Sequence, residues 1–296
     1  MQHVISLDKV SKRYGKSRGV SDITLDVPEG TVVGFLGPNG AGKTTTISML
    51  INLTTPSAGR IHMFGADNQK RGIDVRKRIG FLAGDMALDK NLTGAQQLEY
   101  LAHIRGGVDT RYIKELAQRF QCNLSRKIKQ LSRGNRQKVA LIAALMHKPD
   151  LLILDEPTSG LDPLMQAEFN KIILEHKAAG KTAFISSHVL SEVQELCDRI
   201  VIIREGKLVA DKSLAELRQT QAKQVRLVTA DKPIPYVTGL TGVEHLRIQG
   251  NTASFTYSGD AADLLHKLAK APVQDIVIES ADLESLFMKY YEGDNA

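Results

Sequence analysis

The chain is short of cysteine, short of aromatic residues and without a long apolar run. Its 296 residues hold two cysteines, Cys122 and Cys197, far apart and with no metal-ligand spacing around either. That excludes a disulfide framework and a cysteine-based metal site, and points to a reduced, cytosolic setting. Aromatic residues make up 5% of the chain and tryptophan is absent. No aromatic platform interleaved with basic residues is present, so a nucleic-acid partner is not expected. No apolar stretch approaches the ~18 residues needed to cross a bilayer. The opening Met1-Gln2-His3-Val4-Ile5-Ser6-Leu7 lacks the charged-then-apolar pattern of a secretion signal. A role at a membrane would therefore need another chain to supply the membrane part. No internal repeat or low-complexity tract stands out.

What is present is an ordinary globular composition: 42% hydrophobic and 24% charged residues, in a length that suits one large domain and one smaller one. The formal net charge is +6. The basic residues are scattered apart from Arg71–Arg78 and Arg126–Arg136, and this mild excess fits a nucleotide binder near an anionic membrane face.

Residues 37–45 read Gly-Pro-Asn-Gly-Ala-Gly-Lys-Thr-Thr, which fits the phosphate-loop pattern G-x-x-x-x-G-K-[ST]. An apolar stretch, Thr31–Leu36, precedes it as a buried strand, and Thr45–Leu50 follows as a helix start. Gly37, Gly40 and Gly42 let the backbone turn tightly and bring N–H groups to phosphate oxygens, while the helix N-terminus adds partial positive charge. Pro38, Asn39, Ala41 and Thr45 complete the cradle. Lys43 would reach the β- and γ-phosphates, and the Thr44 hydroxyl would sit on Mg²⁺.

Around this loop, strands are expected at 4–7, 23–27, 60–64, 78–82, 151–154, 182–186 and 200–204. Helices are expected over 93–119 with a break at Gly106-Gly107, and over 132–147, 164–179 and 191–198. The alternation implies an α/β fold with a mostly parallel central sheet. Leu151–Leu154 ends in Asp155-Glu156, two acids at the carboxyl end of a buried strand, where α/β sites lie. Asp155 would meet Mg²⁺, directly or through water. Glu156 would orient and deprotonate a water facing the γ-phosphate.

Leu131-Ser132-Arg133-Gly134-Asn135 resembles the Leu-Ser-Gly-Gly-Gln signature of the ABC (ATP-binding cassette) ATPases, with Arg133 and Asn135 replacing a glycine and the glutamine. Other elements of that family follow in order. Tyr14 resembles its adenine-stacking aromatic, Ser159-Gly160-Leu161-Asp162 its D-loop, and His188 its switch histidine that contacts the γ-phosphate. One element departs: Gly84 stands where the family has a glutamine that touches Mg²⁺ and the attacking water. Either the next residue, Asp85, substitutes, or water fills the space, or the site depends less on this position.

The resemblance covers about residues 3–217. It implies a P-loop NTPase of ABC type, with a mixed central sheet, a helical signature subdomain and a small C-terminal α+β domain. The expected division is an ATPase domain at 1–218, a linker at 219–224 and an accessory domain at 225–296. The accessory part should carry strands at 225–228, 243–248, 252–257 and 275–279 and helices at 261–270 and 282–291, and it resembles the extension of drug and antibiotic exporters. The family architecture further implies a homodimer that sandwiches ATP. The phosphate loop of one copy, with Lys43, would then face the signature of the other, with Ser132, Gly134 and Asn135, and Glu156, Asp162 and His188 would complete the shared site. A membrane permease on a separate chain would couple to the dimer from the inner face of the membrane. The alternatives are a soluble ABC ATPase acting on ribosomes or nucleic acid, and a regulatory module that holds ATP without hydrolysing it.

Overall fold

The computed structural model describes residues 3–15, 17–84, 87–219, 223–269 and 271–280. The chain forms two compact units, Met1–Lys212 and Ser213–Ala296.

In the first unit, β1 (His3–Tyr14) and β2 (Ser17–Pro28) form a long antiparallel hairpin. Then follow β3 (Val32–Leu36), α1 (Lys43–Leu50), β4 (Ala58–Met63), β5 (Ala66–Asp67), α2 (Gly72–Lys77) and β6 (Ile79–Leu82). Next come α3 (Gly94–Ile104), α4 (Thr110–Arg119), α5 (Arg133–Leu145), β7 (Leu151–Asp155) and α6 (Pro163–Ala178). The unit closes with β8 (Thr182–Ser187), α7 (Leu190–Leu196), β9 (Arg199–Arg204) and β10 (Lys207–Ser213). One sheet runs β2-β1-β4-β5 and is antiparallel. The other runs β10-β9-β3-β8-β7-β6, with β9, β3, β8, β7 and β6 parallel.

Every residue of β3, β7 and β8 is buried, as parallel strands covered on both faces must be. Ile5, Leu7, Ile23 and Leu25 of the hairpin join Val33, Phe35, Ile153 and Phe184 of the parallel sheet and Ile47 and Leu50 of α1 in one apolar cluster. Each such side chain contributes about 1.5–3 kcal/mol of burial. The parallel register does the work of assembly. Leu36 pairs with Ser187 and Asp155 with Ser186, so three loops leave neighbouring strands at the same edge of the sheet.

Helices α3 and α4 flank the Gly106-Gly107 break, and both glycines take positive φ. Thr93 caps α3 with a reciprocal Thr93–Gln96 box. Helix α2 and strands β5 and β10 were not anticipated. Of the six residues of α2, only Ile73 and Val75 are large and apolar, too few to show a helical period.

The second unit holds α8 (Leu214–Gln219), β11 (Lys223–Thr229), α9 (Ile234–Val237), β12 (Val243–Gln249), β13 (Thr252–Tyr257), α10 (Ala261–Leu268) and β14 (Val273–Ser280). Its antiparallel sheet runs β12-β13-β11-β14 over a core of Val225, Leu227, Phe255, Tyr257, Leu264 and Leu268. The break between units falls at Lys212/Ser213, ahead of the polar stretch 219–224. Lys223 and Gln224, expected to be linker, pair with Tyr257 and Thr256 as the start of β11. Polar composition hid this because a strand with one solvated face carries polar residues at alternate positions. The helix expected over 282–291 lies outside the described residues.

Candidate functional site

The loop after β3 closes on itself before α1 begins. The Ala41 N–H donates to the Pro38 carbonyl at 3.1 Å, and the Thr46 hydroxyl to the Gly42 carbonyl at 3.0 Å. Gly42, the residue before α1, has φ 112°, a backbone shape that favours glycine. A Cβ at Gly37 would stand 2.4 Å from the Ile203 carbonyl oxygen, so β9 leaves no room for a side chain there. Asn39 and Gly40 are exposed, and the first turn of α1 has no side-chain cap and no acidic residue. Its amides are thus open to an anion.

Lys43 folds into this loop. Only 6% of it is exposed, and its Nζ donates to the carbonyls of Gly37 at 2.7 Å and Pro38 at 3.3 Å. Glu156 Oε1 stands 3.8 Å away. Burial pushes the Lys43 amine down from its ordinary range, while Glu156 and then Asp155 pull it back up.

The two acids at the end of β7 take different surroundings. Asp155 is buried; its Oδ2 accepts from the Thr44 hydroxyl at 3.1 Å and its Oδ1 accepts from the Ser186 hydroxyl. Glu156 is half-buried, and its backbone adopts φ 49°, rare for a residue with a side chain. Its N–H donates to the Ser186 carbonyl at 3.1 Å and hydroxyl at 3.2 Å. Its Oε1 lies 3.0 Å from Nδ1 of the exposed His188. Lys43, Thr44, Asp155, Glu156 and His188 therefore meet at one edge of the parallel sheet.

Gly84 belongs to the same place. A Cβ built on it would lie 3.5 Å from Asp155 Oδ2, an ordinary van der Waals distance. Asp85, the candidate stand-in, lies outside the described residues.

Ser132 caps α5 by accepting from the Asn135 N–H at 3.3 Å. Gly134 packs so tightly on the D-loop segment that a Cβ would fall 2.3 Å from the Gly160 carbonyl oxygen. Arg133 donates to the Ser159 hydroxyl at 3.0 Å. Asp162 caps α6 through the Met165 N–H at 3.0 Å. Ser132 and Asp162 are both exposed. Tyr14, at the tip of the hairpin, is 49% exposed with the Lys12 ammonium 5.3 Å over its ring.

Two contacts went unread in the sequence. Ser186 anchors both acids, and its signal was only a polar residue at the end of an apolar strand. Gln137, in α5, donates to the carbonyls of Pro157 at 2.9 Å and Glu156 at 3.4 Å; it closes the signature run that starts at Leu131, but that run does not reveal the contact.

The residues fit a nucleotide and its metal. The loop offers exposed amides and a buried ammonium for phosphates. No group of three or more His, Cys, Asp or Glu able to hold a metal occurs among the described residues. Thr44 and Asp155 instead supply two hard oxygens, which suits Mg²⁺ shared with substrate phosphates.

Residues 20–159 match the family model described as ABC transporter. The chain is 35% identical over 238 residues to the bacitracin transport ATP-binding protein BcrA of Enterococcus faecalis, covering 79% of this chain and 77% of that one. It is 35% identical over 277 residues to the daunorubicin resistance ATP-binding protein DrrA3 of Streptomyces coeruleorubidus, covering 92% and 84%. That span exceeds the first unit and extends into the second. Among solved structures, an ATP-binding subunit of an ABC transporter superposes with a TM-score of 0.68 at 30% identity, covering 73% of this chain and 92% of that one.

Proposed function

Because the chain belongs to the ABC transporter family and is its ATP-hydrolysing subunit, we propose that two copies close around ATP and Mg²⁺ to drive a separate membrane permease. The observation that carries this reading is the triangle of Lys43, Glu156 and His188. It places one cation, one carboxylate and one imidazole beside a phosphate cradle.

Each residue then has a task. The Lys43 ammonium has three donors; two engage the loop carbonyls, and the third serves the β- and γ-phosphates. Glu156 takes the proton of the attacking water, and His188 orients the carboxylate and contacts the γ-phosphate. Thr44 and Asp155 hold Mg²⁺, which would neutralise charge developing on the phosphates. Tyr14 stacks on adenine. The exposed N-terminus of α5, with Ser132, Gly134 and Asn135, and the exposed Asp162 meet the γ-phosphate side of the partner copy's ATP. The γ-phosphate is then the charge that joins two chains, and cleavage releases them.

We assign the ATPase to residues 1–218 and an accessory role, stabilising the dimer, to residues 225–296. No helix among the described residues is long and apolar enough to cross a membrane. In this reading the permease is a separate chain that recruits this one to the inner face. The names of BcrA and DrrA3 support an exporter of the drug and antibiotic branch. The test is co-expression with a polytopic membrane protein encoded beside it. Co-purification and substrate-stimulated ATPase in lipid vesicles are expected; an ATPase indifferent to every such partner contradicts the transport role.

A further inference from the structure

One face of α5 is fastened to the segment that follows the catalytic strand. Arg133 reaches Ser159, Gly134 abuts Gly160, and Lys138 Nζ lies 4.0 Å from Asp162 Oδ2. These residues, with Gln137, lie at i, i+1, i+4 and i+5, which is a single helical face. Gln137 is the member of this face that reaches Glu156. Its amide donates to the Pro157 carbonyl at 2.9 Å and to the Glu156 carbonyl at 3.4 Å.

Glu156 needs such support. Its φ of 49° is a conformation that costs free energy for a residue with a Cβ and persists only where neighbours over-determine it. On the strand side the determinants are the two bonds from its N–H to Ser186. On the far side of the residue, its carbonyl accepts from the Ser159 N–H at 3.2 Å within the turn, and the Gln137 amide ties that carbonyl and the next to α5. The carboxylate itself meets the exposed His188 at 3.0 Å and the Lys43 ammonium at 3.8 Å.

We propose that Gln137 is a positioning residue for the Glu156 carboxylate. It locks the strained backbone from the helix that Ser132 caps, so the orientation of the base depends on where that helix sits. The inference rests on the assignment of Glu156 as the base. The Gln137 amide bonds the backbone carbonyls of Glu156 and Pro157 rather than the loop at 37–45, so its loss should leave ATP affinity intact and lower only the chemical step.

Gln137→Met keeps length and volume and removes the amide donors; Gln137→Ala, favourable in a helix, is the second variant. In the full-length chain, both should lower kcat about tenfold, with KM for ATP within twofold of the parent. In a Glu156→Gln background, measured by single-turnover hydrolysis, either change should add no further loss, because the group it positions is gone. A loss of equal size in both backgrounds, or a raised KM with unchanged kcat, overturns the proposal. If Glu156→Gln alone hydrolyses at the parental rate, the base assignment fails instead. If Glu156→Gln is inactive while both Gln137 variants run at the parental rate, only the positioning role falls.

Discussion

Glu156 Oε1 stands 3.0 Å from His188 Nδ1 and 3.8 Å from Lys43 Nζ, so one carboxylate oxygen faces both an imidazole and an ammonium. The carboxylate comes from the residue after β7, the histidine from the loop after β8 and the lysine from the start of α1, and parallel pairing brings the three together.

A base at that point makes Glu156→Gln the sharpest single change. The amide keeps the shape and removes the proton acceptor. Hydrolysis should fall about 10²-fold or more, while ATP binding persists and an ATP-bound dimer accumulates. Near-parental turnover would reject the role.

Lys43→Ala removes the buried ammonium from the loop. ATP affinity by calorimetry should drop about tenfold or more, as expected for loss of charge-assisted hydrogen bonds. An unchanged dissociation constant would remove Lys43 from the phosphate site.

Gly134→Ala tests the seam between α5 and the D-loop. Its Cβ would have to displace the Gly160 carbonyl oxygen, so a loss of about 1–3 kcal/mol in urea unfolding is expected. Gly84→Ala, whose Cβ meets nothing among the described residues closer than 3.5 Å, should stay within about 0.5 kcal/mol of the parent. The opposite order of the two effects would contradict the packing.

Acid should destabilise the first unit through two histidines. Burial first, then Arg105, pushes His147 down to about 4; burial first, then Lys181, does the same to His176. Each is neutral when folded and protonates more readily when unfolded. Their contribution is therefore present above pH ~6.5 and is lost as pH falls towards about 4. His147→Gln/His176→Gln should flatten the fall in urea midpoint between those limits; an identical slope would place the effect elsewhere.

How far the sequence alone reached follows from what each feature depends on. The loop at 37–45, the acids at 155–156 and the cap at Ser132 are written in contiguous residues, and local chemistry made them legible. Their meeting depends on strand register, which no local pattern carries. Ser186 matters because it pairs with Asp155, and Gln137 because α5 crosses the turn after Glu156. The glycine at 134 reads as part of the signature that meets the nucleotide, yet its lack of a Cβ is also what the Gly160 carbonyl requires. In the second unit, β11 began inside a stretch whose polarity suggested a linker.

The central claim is that each ATP is shared between two chains, and complementation of two defects tests it most directly. Lys43→Ala disables the phosphate loop. Ser132→Asp keeps a capping oxygen on α5 while setting a negative charge against the γ-phosphate. Each variant alone places one defect in both sites of a dimer and should be inactive. Mixed, they form a heterodimer with one intact site and one doubly damaged site, so ATPase activity should reappear on mixing in proportion to the heterodimer formed. A mixture no more active than its separate components would contradict the shared site.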